Sequence, residues 1–179
     1  MKTQKTFLQN LALVSLAILV SGVPVSLEAS DDLREEKVLP LSLAVKAASA
    51  AVDQCRQDGY KVSAAVVDRG GTLKVLLRAD GAGPHTPDSS RKKAYTSASL
   101  RRPTMEFADL IVKVPNVQAL RDMNDQILML GGGLPIQFSD DVVGGIGVGG
   151  APGAHLDENC ARAGLKLIGA KTQFGKNSD

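Results

Sequence analysis

The sequence predicts an α+β domain in which an antiparallel sheet of about five strands is flanked by helices. Three observations predict it. Val66-Val67-Asp68-Arg69-Gly70-Gly71-Thr72-Leu73 carries two apolar runs on either side of a glycine turn, the pattern of a β-hairpin. The last third, from Gly131 to Ala163, sets glycines densely among β-branched residues, as in backbone that approaches a neighbour closely. The elements also follow one another as helix, hairpin, helices, three further strands and a closing helix. Strands joined by short turns favour antiparallel pairing, and helices must then cover the apolar faces.

The elements read as follows. Pro40 suits a helix start, and Ala44, Ala47, Ala48, Ala51, Val52 and Cys55 recur at helical spacing up to Gly59. A stripe of alanine predicts close packing on a neighbour. Lys61–Asp68 is rich in Val and Ala on both faces, as in a strand covered on both sides. Thr72–Arg78 returns as its partner. Asp80–Ser89 is a loop by composition, and Ser90–Arg101 a helix. Thr104 can cap a short helix through Val112, and Asn116 a further one with Val117, Leu120, Ile127 and Leu128 on one face. Leu128–Leu130 and Leu134–Phe138 read as strands joined through Gly131–Gly133, and Val142–Val148 as another. Asp157–Ile168 closes the domain with Cys160, Ala161, Gly164, Leu165 and Ile168 inward. Ser30–Leu39 is a charged, solvated lead-in.

Residues 1–29 have the layout of a secretory signal peptide: Lys2 and Lys5, an apolar stretch through Leu11–Val20, then Gly22, Pro24 and small Ala29. An uncleaved N-terminal anchor is the alternative reading, because Thr6–Leu27 carries no charge. Cleavage leaves residues 30–179 as a single domain, periplasmic or secreted, with no membrane attachment and a net charge of +1. Neither that charge nor four Phe, two Tyr and no Trp suits nucleic acid. Cys55 and Cys160 both lie in the exported part; they read either as a disulfide or as two small buried residues on helix faces.

No catalytic motif stands out. Gly145-Ile-Gly147-Val-Gly149-Gly150 satisfies G-x-G-x-x-G, but only 29 residues follow, too few for the second half of a dinucleotide site. The alternating glycines read instead as one face of a strand, open to a helix or a flat ligand, with Ile146 and Val148 on the other. His85 and His155 lie in expected loops without a second ligand at metal spacing. His85 can still serve as an axial ligand to heme iron, or be a solvated loop residue. Lys93 and Thr96 share a helix face with Lys92 beside them, and Tyr95, Arg101 and Arg102 are close in sequence. Such a cluster suits ligand carboxylates, or is simply a solvated basic face. Asp68, Asp80, Asp140 and Asp141 flank turns, where Asp bonds locally.

Ala65-Val66-Val67-Asp68-Arg69-Gly70-Gly71, Arg78-Ala79-Asp80-Gly81-Ala82, Lys93-Ala94-Tyr95-Thr96, Arg102-Pro103-Thr104, Gly132-Gly133-Leu134-Pro135-Ile136 and Gly144–Gly150, followed by Asp157 and Ala161–Gly164, resemble in series the GlcG/HbpS-like family. The resemblance implies a profilin-like fold, a homo-oligomer commonly described as an octamer, and heme binding with iron handling or redox sensing in exported members. It places ligand contacts on Lys93, Tyr95, Thr96 and Thr104, with Arg102 and His85 beside them; a threonine oxygen would hold heme weakly. Two departures are visible: Gly149 replaces the usual serine in Gly147-Val148-Gly149-Gly150, and Pro84-His85-Thr86-Pro87 alters the loop before the helix. The expected function is an exported heme- or tetrapyrrole-binding protein without turnover of its own. The alternatives are a small-molecule or heme-modifying enzyme and a structural, partner-binding oligomeric module.

Overall fold

Strands from the two ends of the domain meet at its centre. The computed structural model describes residues 35–174. In order these form α1 (Leu41–Gln57), β1 (Ser63–Asp68), β2 (Leu73–Arg78), α2 (Thr86–Leu100), α3 (Thr104–Lys113), a 3₁₀ run (Pro115–Asp122), β3 (Gly133–Phe138), β4 (Asp141–Gly149) and α4 (Ala154–Leu167). The sheet is antiparallel throughout, ordered β2-β1-β4-β3. The expected signal peptide lies outside the described residues.

Alternation along the two central strands splits the core in two. Ala64, Val66, Ile146 and Val148 point to the α1/α4 side, where they join Ala47, Ala51, Leu165 and Ile168. Ala65 and Val67 point to the other side and pack with Ala94 and Ala98 of α2. Facing α2, β4 offers only Gly145, Gly147 and Gly149. A Cβ on Gly147 would stand 2.1 Å from the Ser90 carbonyl oxygen, and one on Gly145 2.2 Å from that of Ala94. The glycine face expected from the sequence is therefore real, and what approaches it is a helix.

The alanine stripe of α1 behaves as predicted. Ala44, Ala47, Ala48, Ala51 and Cys55 are all buried. Gly164 of α4 comes so near that a Cβ there would lie 2.4 Å from the Ala47 carbonyl oxygen. The two helices are bridged by a disulfide between Cys55 and Cys160, with Cα atoms 5.5 Å apart. This decides between the two readings of the cysteine pair. The bridge spans 105 residues of sequence, a loop for which chain-entropy arguments give roughly 4–5 kcal/mol of stabilisation.

Several expectations need correction. The sheet has four strands, not about five. Leu128–Leu130 is irregular because its polar backbone groups bond to side chains: the Leu128 N–H donates to the Thr96 hydroxyl, and the Leu130 carbonyl accepts from that of Thr104. The helix expected from Asn116 is the 3₁₀ run, which begins at Pro115 and buries no residue. Thr104 is the first residue of α3 rather than its cap, the capping position being Pro103. Helix α2 starts at Thr86, earlier than composition suggested, because Pro87 sits in its first turn, where a missing N–H costs nothing. Leu39, read as solvated, is buried in the main core.

Gly147→Ala should lower stability by about 3 kcal/mol, since the new methyl meets backbone that cannot yield. Gly70→Ala, whose Cβ would meet only the Asp68 side chain at 3.4 Å, should be near neutral. Urea denaturation of the two variants checks this. Reducing the Cys55–Cys160 bridge should lower the urea midpoint of the wild-type protein by an amount matching roughly 2–5 kcal/mol.

Candidate functional site

The cationic run at the start of α2 is neutralised from within. Asp88 lies one turn earlier and pairs with Arg91 at 3.0 Å and Lys92 at 3.3 Å. The hydrogen bond from Arg91, ahead of the contribution of Lys92, holds the Asp88 carboxyl below its ordinary range. Arg91 also donates to the Gln126 side chain.

Lys93 points the other way, into the protein. Its side chain is 2% exposed, and its ammonium donates to Asp157 of α4 at 2.8 Å and to the Val148 carbonyl of β4 at 2.9 Å. The second Asp157 oxygen accepts the Ala151 N–H at 2.9 Å. One ion pair thus ties α2, β4 and the turn into α4 together. Sequence spacing placed Lys93 and Thr96 on one face correctly, but that face is the buried one. Spacing alone assigns Asp157 no role; its signal in the sequence is a lone acid on the apolar face of the last helix.

The two threonines serve a neighbouring segment. Thr96 donates to the Lys92 carbonyl and accepts the Leu128 N–H, both at 2.8 Å. Thr104 donates to the Leu130 carbonyl at 2.7 Å and accepts the Gly133 N–H at 2.9 Å. Gly132 adopts φ +109° and lies against Asp157 and the Lys93 ammonium. Thr96 and Thr104 therefore fix residues 128–133, and Lys93 lies against Gly132 with its ammonium already engaged by Val148 and Asp157.

The other three candidates lie apart. Tyr95 is half-buried, its ring on Gly71 in the β1–β2 turn, where a Cβ would fall 2.6 Å from it. His85 is exposed just before α2, and Arg102 just after it. The 15 residues of α2 put about 22 Å between these ends. Arg102 pairs with Glu106 at 2.7 Å and lies over the Phe107 ring at 5.6 Å. It opens α3, whose single buried residue is Thr104. The remaining apolar residues of α3 are left half-covered or bare, Val112 to 78%.

Residues 39–166 match the family model described as haem degrading protein HbpS-like. The chain belongs to this family. Among HbpS-like structures, a double mutant of Streptomyces reticuli HbpS is 45% identical with a TM-score of 0.70, over 75% of this chain and 90% of that one. GlcG of Escherichia coli K12 is 28% identical over 116 residues, 65% of this chain and 84% of the relative. A PduOC:heme complex shares the fold at a TM-score of 0.70 and 23% identity, over 77% of this chain and 100% of that one.

In this HbpS-like chain, removing one partner of the Lys93–Asp157 pair should strand a buried charge. Lys93→Ala and Asp157→Ala are each expected to cost roughly 3–5 kcal/mol in urea denaturation, and the double variant Lys93→Met/Asp157→Leu to recover most of that loss.

Proposed function

We propose that this protein is an exported heme-binding member of the HbpS-like family that holds heme at its surface, in heme or iron handling or redox sensing. The observation that carries the reading is the uncovered apolar arm formed by α3 and the chain beyond it. Phe107, Leu110, Ile111, Val112 and Val114 are all partly or largely open, and Arg102 stands at the arm's start. Contiguous exposed apolar surface on a soluble domain marks an interaction site. An apolar face flanked by a guanidinium fits a flat macrocycle bearing carboxylates. Family membership and the occurrence of heme on the same fold in the PduOC complex support the same reading.

Each residue then has a part. Arg102 would turn from Glu106 to a heme carboxylate, while Phe107 and Val112 would exclude water from the ring. Lys93, Thr96 and Thr104 would act from below, holding the 128–133 segment and the root of α3 in place. Bound iron would supply redox chemistry and an exchangeable coordination position.

Export is supported by the N-terminal layout of Lys2, Lys5 and Leu11–Val20, and by the Cys55–Cys160 bridge, which suits an oxidising compartment. Assembly into an oligomer is supported by the edge strand β2, whose Leu73 and Leu76 are 42% and 39% exposed.

Hemin titration of the purified protein, followed through the Soret band, should saturate near one heme per chain. Val112→Asp and Arg102→Ala should each weaken binding at least about tenfold, equivalent to 1.4 kcal/mol, without lowering the melting temperature. A titration no different from that of an unrelated control protein would overturn the reading.

A further inference from the structure

We propose that the pocket at the α2–α3 corner binds a short dicarboxylic acid bearing a hydroxyl or amino group. The pocket has a volume of about 270 Å³ and is built from three separate stretches of chain. Arg101, Arg102 and Glu106 come from the corner itself, Gln137 and Asp140 from the end of β3 and its turn, and Lys171 from the segment after α4. That last segment is fixed in place: the Lys171 N–H donates to the Gln137 carbonyl at 2.8 Å, and Arg162 donates to that of Thr172.

The charges in the pocket do not cancel. Arg102 and Glu106 satisfy each other. Among the described residues, neither Arg101 nor Lys171 has an ion-pair or side-chain hydrogen-bond partner, and neither does Asp140. The C-terminal end of α2 and the N-terminal end of α3 meet here with opposed dipoles, which leaves the side chains to set the potential. Two free cations match two carboxylates, and the guanidinium can hold one of them bidentately. The free Asp140 carboxylate then needs a donor, which a ligand hydroxyl or ammonium supplies. Phosphate also offers a P–OH donor to Asp140, but it concentrates its charge on one centre, whereas a dicarboxylate presents a separate anionic group to each cation.

The backbone adds an independent observation. Arg101 and Ser139 are the only non-glycine residues with positive φ among the described residues, at 56° and 52°. Arg101 lines this pocket, and Ser139 immediately precedes Asp140, which also lines it. Arg101 occupies the position after a helix where glycine would be relaxed. An arginine kept in that conformation at the mouth of a polar pocket is the kind of local strain that accompanies function.

Calorimetric titration of the full chain with malate, aspartate, succinate and inorganic phosphate tests the proposal. Malate or aspartate should bind at least about tenfold more tightly than succinate and phosphate. Asp140→Ala, which removes the acceptor, should abolish the preference over succinate. Arg101→Gly should raise the melting temperature by relieving strain, yet weaken malate or aspartate binding at least tenfold; Lys171→Ala should weaken it likewise. Hemin binding of Arg101→Gly and Lys171→Ala should stay unchanged, so this site and the heme reading fail separately. Equal affinity for phosphate, no binding of any of the four acids, or undiminished binding by Arg101→Gly would each overturn the proposal.

Discussion

The contact between α2 and the side-chain-free face of β4 governs much of this structure. With Gly145, Gly147 and Gly149 facing it, the helix backbone comes within a methyl's width of the strand. At that distance the side chains at Lys93 and Thr96 have no route to solvent, and both are buried. A buried ammonium requires an anion and further hydrogen bonds. Asp157 and the Val148 carbonyl supply them. Asp157 in turn must lie at the start of α4, which brings Ala151 and Gly132 into the same cluster. The positions of α4 and of the 128–133 segment thus follow from a strand that gave up its side chains on one face.

This chain of dependence explains what could be read from the sequence. The β1–β2 turn was legible because its determinants are local: Gly71 at φ +83° and Asp68 accepting the Thr72 N–H at 2.9 Å. The alanine stripe of α1 and the glycine face of β4 were legible as periodicities. Residues 123–132 were not. Their apolar content suggested helix then strand, but their backbone is organised by hydroxyls on α2 and α3, 26 to 32 positions away. Lys93 illustrates the same limit. A lysine on a helix reads as solvent-facing unless the depth of its neighbour is known, and that depth was encoded more than 50 residues downstream in the β4 glycines.

The cysteine pair shows the complementary case. Chemistry and compartment allowed a bridge, but only the crossing of α1 and α4 brings the Cα atoms to 5.5 Å. That crossing depends on small residues again, with Gly164 seated on the Ala47 carbonyl. The α2–β4 contact and the α1–α4 contact are therefore packed by the same device, close backbone approach, while the sheet face under α1 and α4 carries the larger side chains Leu134, Ile136 and Ile146. A disulfide bridges the α1–α4 contact, and a buried ion pair ties α2 to β4 and α4.

The distribution of polar groups bears directly on ligand chemistry. A buried hydrogen-bonded group can be recruited by a ligand only if its present partner is released, at a cost of order 1–3 kcal/mol per abandoned group. Thr96, Thr104 and Lys93 are all engaged, so calling on either threonine would loosen the 128–133 segment, and calling on Lys93 would break its tie to β4 and α4. Arg102 bears no such constraint. Its partner Glu106 is on the adjacent turn, the Arg102 side chain is 52% exposed, and a ligand carboxylate can replace that of Glu106 without Arg102 losing a charged partner. The residues that look most like a binding cluster in the sequence are therefore the ones the fold can least release. The polar groups that the fold leaves free to exchange partners lie instead at the surface, at the root of α3 and the corner where α2 ends.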